Sequence, residues 1–242
     1  MKFTHVLTSV CAAAVTITAL AQVASAANLT KTEYDNQLGT KYGLSYDQWT
    51  TFNQLATNEE RLAIENSDLN PISLDDVTWE TGAENIEVFF VNDGAAVRSQ
   101  LFYSTDAGAS LETIWDDIAS PSSLIPEADG PLALGEGKQL GAFANGTILD
   151  LFLDAGGNRY GIDPNDNPDG EAHITAYDAG EFLLLGFEDR SGKLNDRDFN
   201  DVVIAIKGLT NLEDDAADVP EPAGTAAILG MGVLGLIRLR RR

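Results

Sequence analysis

The chain has 242 residues, 44% of them hydrophobic, and carries 38 acidic against 15 basic side chains for a formal net charge of −23. Such a charge excludes nucleic acid as a partner, because phosphates demand the opposite sign, and it favours bound divalent cations. The one cysteine, Cys11, lies in the first apolar segment, so the remainder has neither a disulfide nor a cysteine metal site.

The first 26 residues run from a basic start at Lys2 through an apolar centre to "ASA" at 24–26, the layout of a secretory signal peptide cleaved after Ala26. A buried first helix is the competing reading. Next comes a helical segment, 27–70. Thr30-Lys-Thr-Glu33 and Ser45-Tyr-Asp-Gln48 both have capping-box spacing. Gly43 is expected to end the first helix, and Tyr46, Trp49, Phe52, Leu55 and Leu62 recur at helical spacing as a core face.

From 71 to 208 the texture is that of short strands between turn residues. "IEVFFV", then Asn92-Asp93-Gly94, then a run to Tyr103 reads as a hairpin. "TILDLFLDAGGN", "HITAYD", "EFLLLGF" and "FNDVVIAI" follow, the last two as neighbours joined by an acidic loop. Several short strands without helix–strand alternation predict a mainly β fold, an antiparallel, jelly-roll-like β-sandwich. Residues 209–218 form an acidic linker.

Residues 219–242 begin with Val219-Pro220-Glu221-Pro222, continue through an apolar run, 223–237, and end on Arg238, Arg240, Arg241 and Arg242. As a helix that run reaches about 22 Å, short of the ~30 Å hydrocarbon core, so the arginines must snorkel to complete a span. The basic end should stay cytoplasmic, leaving the main body outside. This tail resembles the PEP-CTERM sorting signal of Gram-negative bacteria, with Pro220, Glu221 and Pro222 matching its motif. The resemblance implies transient inner-membrane insertion, an exosortase as partner, and delivery to the cell surface or extracellular matrix. A permanent tail anchor is the alternative. Without either end, residues 27–218 hold 37 acids and 10 bases, a net of −27.

The loop "EDRSGKLNDRDFND" carries the chemistry. Asp196, Asp198 and Asn200 fall at every second residue, a spacing that turns oxygen ligands toward one point in calcium loops. An EF-hand is excluded: position 6 is Asp201, position 12 is Lys207, and a strand follows where a helix is required. "DPNDNPDGEAH" repeats the pattern with Asp163, Asn165, Asn167, Asp169 and Glu171. The candidate ligands for Ca²⁺ are Asp189, Asp196, Asp198, Asn200 and Asp201, with Glu188 and Asp169 as weaker ones. Zinc and copper are disfavoured for want of soft ligands. Three alternatives stay open. The acids cap backbone amides of their own turns, or they pair with Arg190 and Arg197, or Glu188, Asp198 and His173 form the centre of a hydrolase acting on polysaccharide. No nucleophile motif such as G-x-S-x-G accompanies them.

The stretches "VFFVNDGAAVRSQLFY", "LALGEGKQLGAFANGTILDLFLDAGGN", "EAHITAYD" and "GFED…DRDFNDVV" resemble, in order, an uncharacterised domain family of bacterial secreted and surface proteins, over 86–208. The resemblance implies an all-β domain with an acidic site. The loop here is less glycine-rich than is usual in that family. The expected function is that of a calcium-stabilised binding or adhesion module at the cell surface or in a biofilm matrix, with an extracellular polysaccharide or matrix component as partner.

Overall fold

A computed structural model describes residues 29–56, 70–72, 79–81, 85–192 and 197–211. The expected signal peptide and sorting tail lie outside the described residues, as do 212–218 of the expected linker, Leu62 and Asp196, whereas the first three linker residues, 209–211, are not linker but a strand paired with 79–81. Among the described residues no helix is long and apolar enough to cross a membrane.

Two helices open the described chain, α1 (Lys31–Leu38) and α2 (Tyr46–Ala56). Both capping boxes form. Thr30 Oγ1 accepts from Glu33 N while Glu33 Oε2 accepts from Thr30 N at 2.8 Å. Ser45 and Gln48 repeat the exchange, with Ser45 N donating to Gln48 Oε1 at 3.0 Å. Helix α1 stops four residues earlier than Gly43, because Gly39 takes φ 60° and donates its amide to Asp35 O. Gly43 instead makes an isolated bridge to Glu136.

Among the described residues twelve strands follow, with one short 3-10 turn at Pro164–Asp166. β1 (Asn70–Ile72), β3 (Asn85–Asp93), β6 (Gly137–Ala142), β9 (Ile174–Ala179), β10 (Phe182–Phe187) and β11 (Val202–Lys207) form one antiparallel sheet, in the order β1-β9-β10-β11-β3-β6. β4 (Ser99–Ser104), β5 (Glu112–Trp115), β7 (Asp150–Ala155) and β8 (Asn158–Gly161) form a second, in the order β5-β4-β7-β8. β2 (Trp79–Thr81) and β12 (Leu209–Asn211) pair as a ribbon. The fold is mainly β, with two antiparallel sheets and few helices.

The larger sheet is covered on both faces, which is why β3 and β11 are buried at nearly every position instead of alternating. Neighbouring residues point opposite ways. Phe89 meets Phe182, itself edge-on to Phe52 of α2, whereas Phe90 meets Trp115 of the smaller sheet. Trp49 of α2 stacks on Tyr34 of α1 at 4.9 Å and donates its indole N–H to Val91 O at 3.0 Å. Each such ring, taken from water, contributes about 1.5–3 kcal/mol. The aromatic stripe of α2 is therefore core, as its spacing predicts, and one hydrophobic cluster spans helices and both sheets.

The hairpin expected at Asn92-Asp93-Gly94 does not form. β3 pairs with β11 and β6, while β4 pairs with β5 and β7 in the other sheet. The turn is a crossing between sheets. Its amide goes elsewhere: Gly94 N donates to Asn200 O and Asp201 O, both at 3.1 Å. A Cβ at Gly94 would come within 2.6 Å of Asn200 Oδ1, so only glycine lets the acidic loop approach this closely.

Candidate cation site

Three adjacent strands deliver acids to one end of the larger sheet. Val202, the first residue of β11, lies opposite Asp93 of β3 and Phe187 of β10. Asp201 precedes Val202, and Glu188-Asp189 follows Phe187. With neighbouring strands about 4.8 Å apart, this register places Asp93, Asp201 and the Glu188-Asp189 pair side by side. Glu188 and Asp189 are buried, Asp93 is 2% exposed, and Asp201 is half-buried.

Backbone amides hold part of this charge. Asp189 N donates to Asp201 Oδ2 at 2.8 Å, Phe199 N to Glu188 Oε1 at 2.6 Å, and Ala95 N to Asp93 Oδ1 at 2.9 Å. The Arg190 guanidinium stands 3.4 Å from Asp189 Oδ1. Burial pushes the Asp93 carboxyl up to about 8 despite the Ala95 amide, and the negative charges of Asp189, Asp201 and Glu127 add to the rise. Asp189 and Asp201 thus lie near enough to Asp93 to oppose its ionisation.

The loop that closes the site is bent hard. Arg197 and Phe199 both take positive φ, 61° and 55°, which side-chain-bearing residues seldom adopt. Asp198, between them, turns toward its own segment, accepting from Asn200 N at 3.2 Å and Asn200 Nδ2 at 2.7 Å. Asn200 Oδ1 is left against Gly94, beside Asp93. Of the expected ligands, Glu188, Asp189, Asn200 and Asp201 gather here, Asp198 serves as a local cap, and Asp196 lies outside the described residues. Asp93 was missed by the sequence reading, since it stands about a hundred residues upstream and looks like a turn residue. Among the described residues, no three His, Cys, Asp or Glu side chains form a ready-made metal group.

Asp169 is committed to a different neighbourhood. Its carboxylate faces His173 Nε2 at 3.0 and 3.1 Å and accepts from Glu171 N and Gly192 N. Burial alone would raise its pKa, but those hydrogen bonds and the imidazole outweigh it and hold the carboxyl below its usual range. His173 itself is fully buried, stacked on Tyr160 at 4.0 Å, with Nδ1 3.2 Å from Glu188 O. Both ring nitrogens face acceptors, and the ring has no open side for a substrate proton. Arg197 reaches across to Glu171 at 2.7 Å, so the two acidic loops do meet, bridged by protein groups.

The profile of a family described as "Domain of unknown function (DUF4114)" matches residues 141–209. No curated protein and no solved structure matches the chain. The matched segment is shorter than the 86–208 expected, and it contains Glu188, Asp189, Asn200 and Asp201 but not Asp93.

Proposed function

We propose that the chain is an exported β-sandwich module of the cell surface or extracellular matrix, whose acidic strand ends take up Ca²⁺ and which works by binding, not turnover. The strand register carries the cation reading: it brings Asp93, Asp189 and Asp201 to one end of the larger sheet, where burial, with their charges adding, pushes the Asp93 carboxyl up to about 8. Carboxylates so placed are relieved either by holding a proton or by sharing a cation. The chemistry of the donors suits a hard ion. Asp93, Asp189 and Asp201 with the Asn200 carboxamide present only oxygen, and calcium accepts about 6–8 such oxygens in irregular arrangements. The ion would lower the repulsion that the strand register imposes, joining β3, β10 and β11 at their ends.

Export and sorting are inferred from the order of the terminal segments: the leader at 1–26, then Pro220-Glu221-Pro222, the apolar run and Arg240, Arg241 and Arg242. In this reading an exosortase handles the tail. The hydrolase alternative draws no support from His173, which is enclosed and held at both nitrogens.

Thermal unfolding of the full chain tests the proposal. Millimolar calcium should raise the midpoint and EDTA should lower it, with Asp201→Asn blunting the difference. Equal midpoints in calcium and EDTA would reject the cation site.

A further inference from the structure

A second surface lies on the smaller sheet, on the face turned away from the core. Strand alternation sends Leu101, Leu153 and Tyr160 inward, all buried. The residues between them therefore point out, in two adjacent rungs across β4, β7 and β8. One rung is Gln100–Asp154–Arg159, and the next is Phe102–Phe152–Gly161. The first is wholly polar. The second is wholly apolar.

The polar rung is organised. Arg159 grips Asp154 through both nitrogens of its fork, Nε to Oδ1 at 2.6 Å and Nη2 to Oδ2 at 2.7 Å, while its guanidinium lies 5.9 Å from the Phe102 ring centre. Gln100 donates to Asp116 O at 3.1 Å. Charge within the rung cancels, and the Arg159–Asp154 fork and the Gln100 amide are held in place by these hydrogen bonds. The apolar rung is tight at Gly161, where an added Cβ would come 3.0 Å from the Phe152 ring and push it aside. On the side of the polar rung away from the phenylalanines opens a groove of about 490 Å³, lined by Gln100, Asp154 and Arg159 of that rung and by Arg98, Asp116 and Asp117 among others.

We infer that this face binds a neutral, polyhydroxylated chain, an oligosaccharide or polysaccharide without charged groups. A pyranose presents the same two textures, an apolar C–H face and an edge of hydroxyls that both donate and accept. Half-exposed phenylalanines suit the first, and Gln100, Asp154, Asn158 and Arg159 suit the second. The protein's net charge of −23 repels polyanions. The groove's two guanidiniums, Arg98 and Arg159, are already held by Asp117 and Asp154, which takes those carboxylates away from a cationic peptide. Neutrality is what remains. The inference rests on the surface-module reading for where the partner is met, but it uses none of the residues of the cation site.

The test is native affinity electrophoresis of the full chain through gels containing dextran, laminarin or hydroxyethylcellulose, with alginate as the polyanion control. Retardation by at least one neutral glucan is expected. Arg159→Ala and Gln100→Ala should each weaken it about tenfold, and their unfolding midpoints should stay near that of the parent. Asp201→Asn should leave retardation unchanged, which separates this face from the cation site. Retardation by alginate alone, by none of the neutral glucans, or equally in the Arg159→Ala and Gln100→Ala variants would overturn the assignment. Glycan binding without any calcium effect on melting would remove the cation reading and leave this one standing.

Discussion

Two acidic loops of similar composition are handled in opposite ways. The 163–171 loop spends its polar groups on its own turns and on neighbouring protein groups. Asp163 Oδ1 accepts from Asn165 N at 2.8 Å, and buried Asn167 bonds Gly161 N, Gly161 O and Glu171 O. Asp169 is matched to His173. The 188–201 loop sits where three strands end together, so its acids meet the acid of a third strand, Asp93. Spacing in sequence is nearly the same in both. What differs is the architecture beneath, and it converts one run of carboxylates into a set of turn caps and the other into a concentration of charge.

That contrast predicts calcium-independent effects in one loop and cation- or pH-dependent effects in the other. The largest loss should come from His173→Ala, which empties a fully buried site stacked on Tyr160 and strips Asp169 of its partner. About 3–4 kcal/mol of stability should disappear by chemical denaturation, equally in calcium and in EDTA. A calcium-dependent loss would merge the two loops into one site.

Asp93 gives the next effect, and it depends on pH. An unfolded aspartate ionises near 4, whereas the folded Asp93 holds its proton up to about 8. In EDTA the unfolded state therefore releases this proton first, and stability declines as pH rises from about 4 to about 8, then levels. Asp93→Asn keeps an acceptor for Ala95 N without the charge. It should stabilise the chain at pH 8 in EDTA by on the order of 2 kcal/mol and flatten the pH profile. An unaltered pH profile in that variant would remove Asp93 from the site.

Asn167→Ala should cost about 1.5–2 kcal/mol through its three bonds, two of them buried, again without regard to calcium. The smallest effect is expected from Asp163→Ala, on the exposed turn, within about 0.5 kcal/mol. A larger calcium-dependent change there, read by melting, would mean that the 163–171 loop takes a cation after all.

Sequence disclosed what local chemistry governs. Both capping boxes, the core stripe of α2 and the succession of β9, β10 and β11 were legible, because each depends on residues a few positions apart. Gly43 misled because Gly39 had already closed the helix. Asp93-Gly94 looked like a hairpin because its local signal is that of a tight turn. The competition was settled by Asn200 and Asp201, which lie about a hundred residues away in sequence and offer their carbonyls to Gly94. The same distance hid Asp93 from any reading of the site. Asp198, by contrast, was conspicuous and proved occupied with Asn200.

The crossing of β3 and β4 between sheets has a practical corollary. An excised piece spanning 141–209 would keep the β7–β8 pair and the β9–β10–β11 meander, yet lose the strands that flank β7 and β11. Each sheet would be left with a raw margin of unclaimed amides and carbonyls, an invitation to stack with neighbouring molecules. The region recognised as one family unit is thus about half of a shared scaffold, and recombinant boundaries drawn around it alone should yield aggregates.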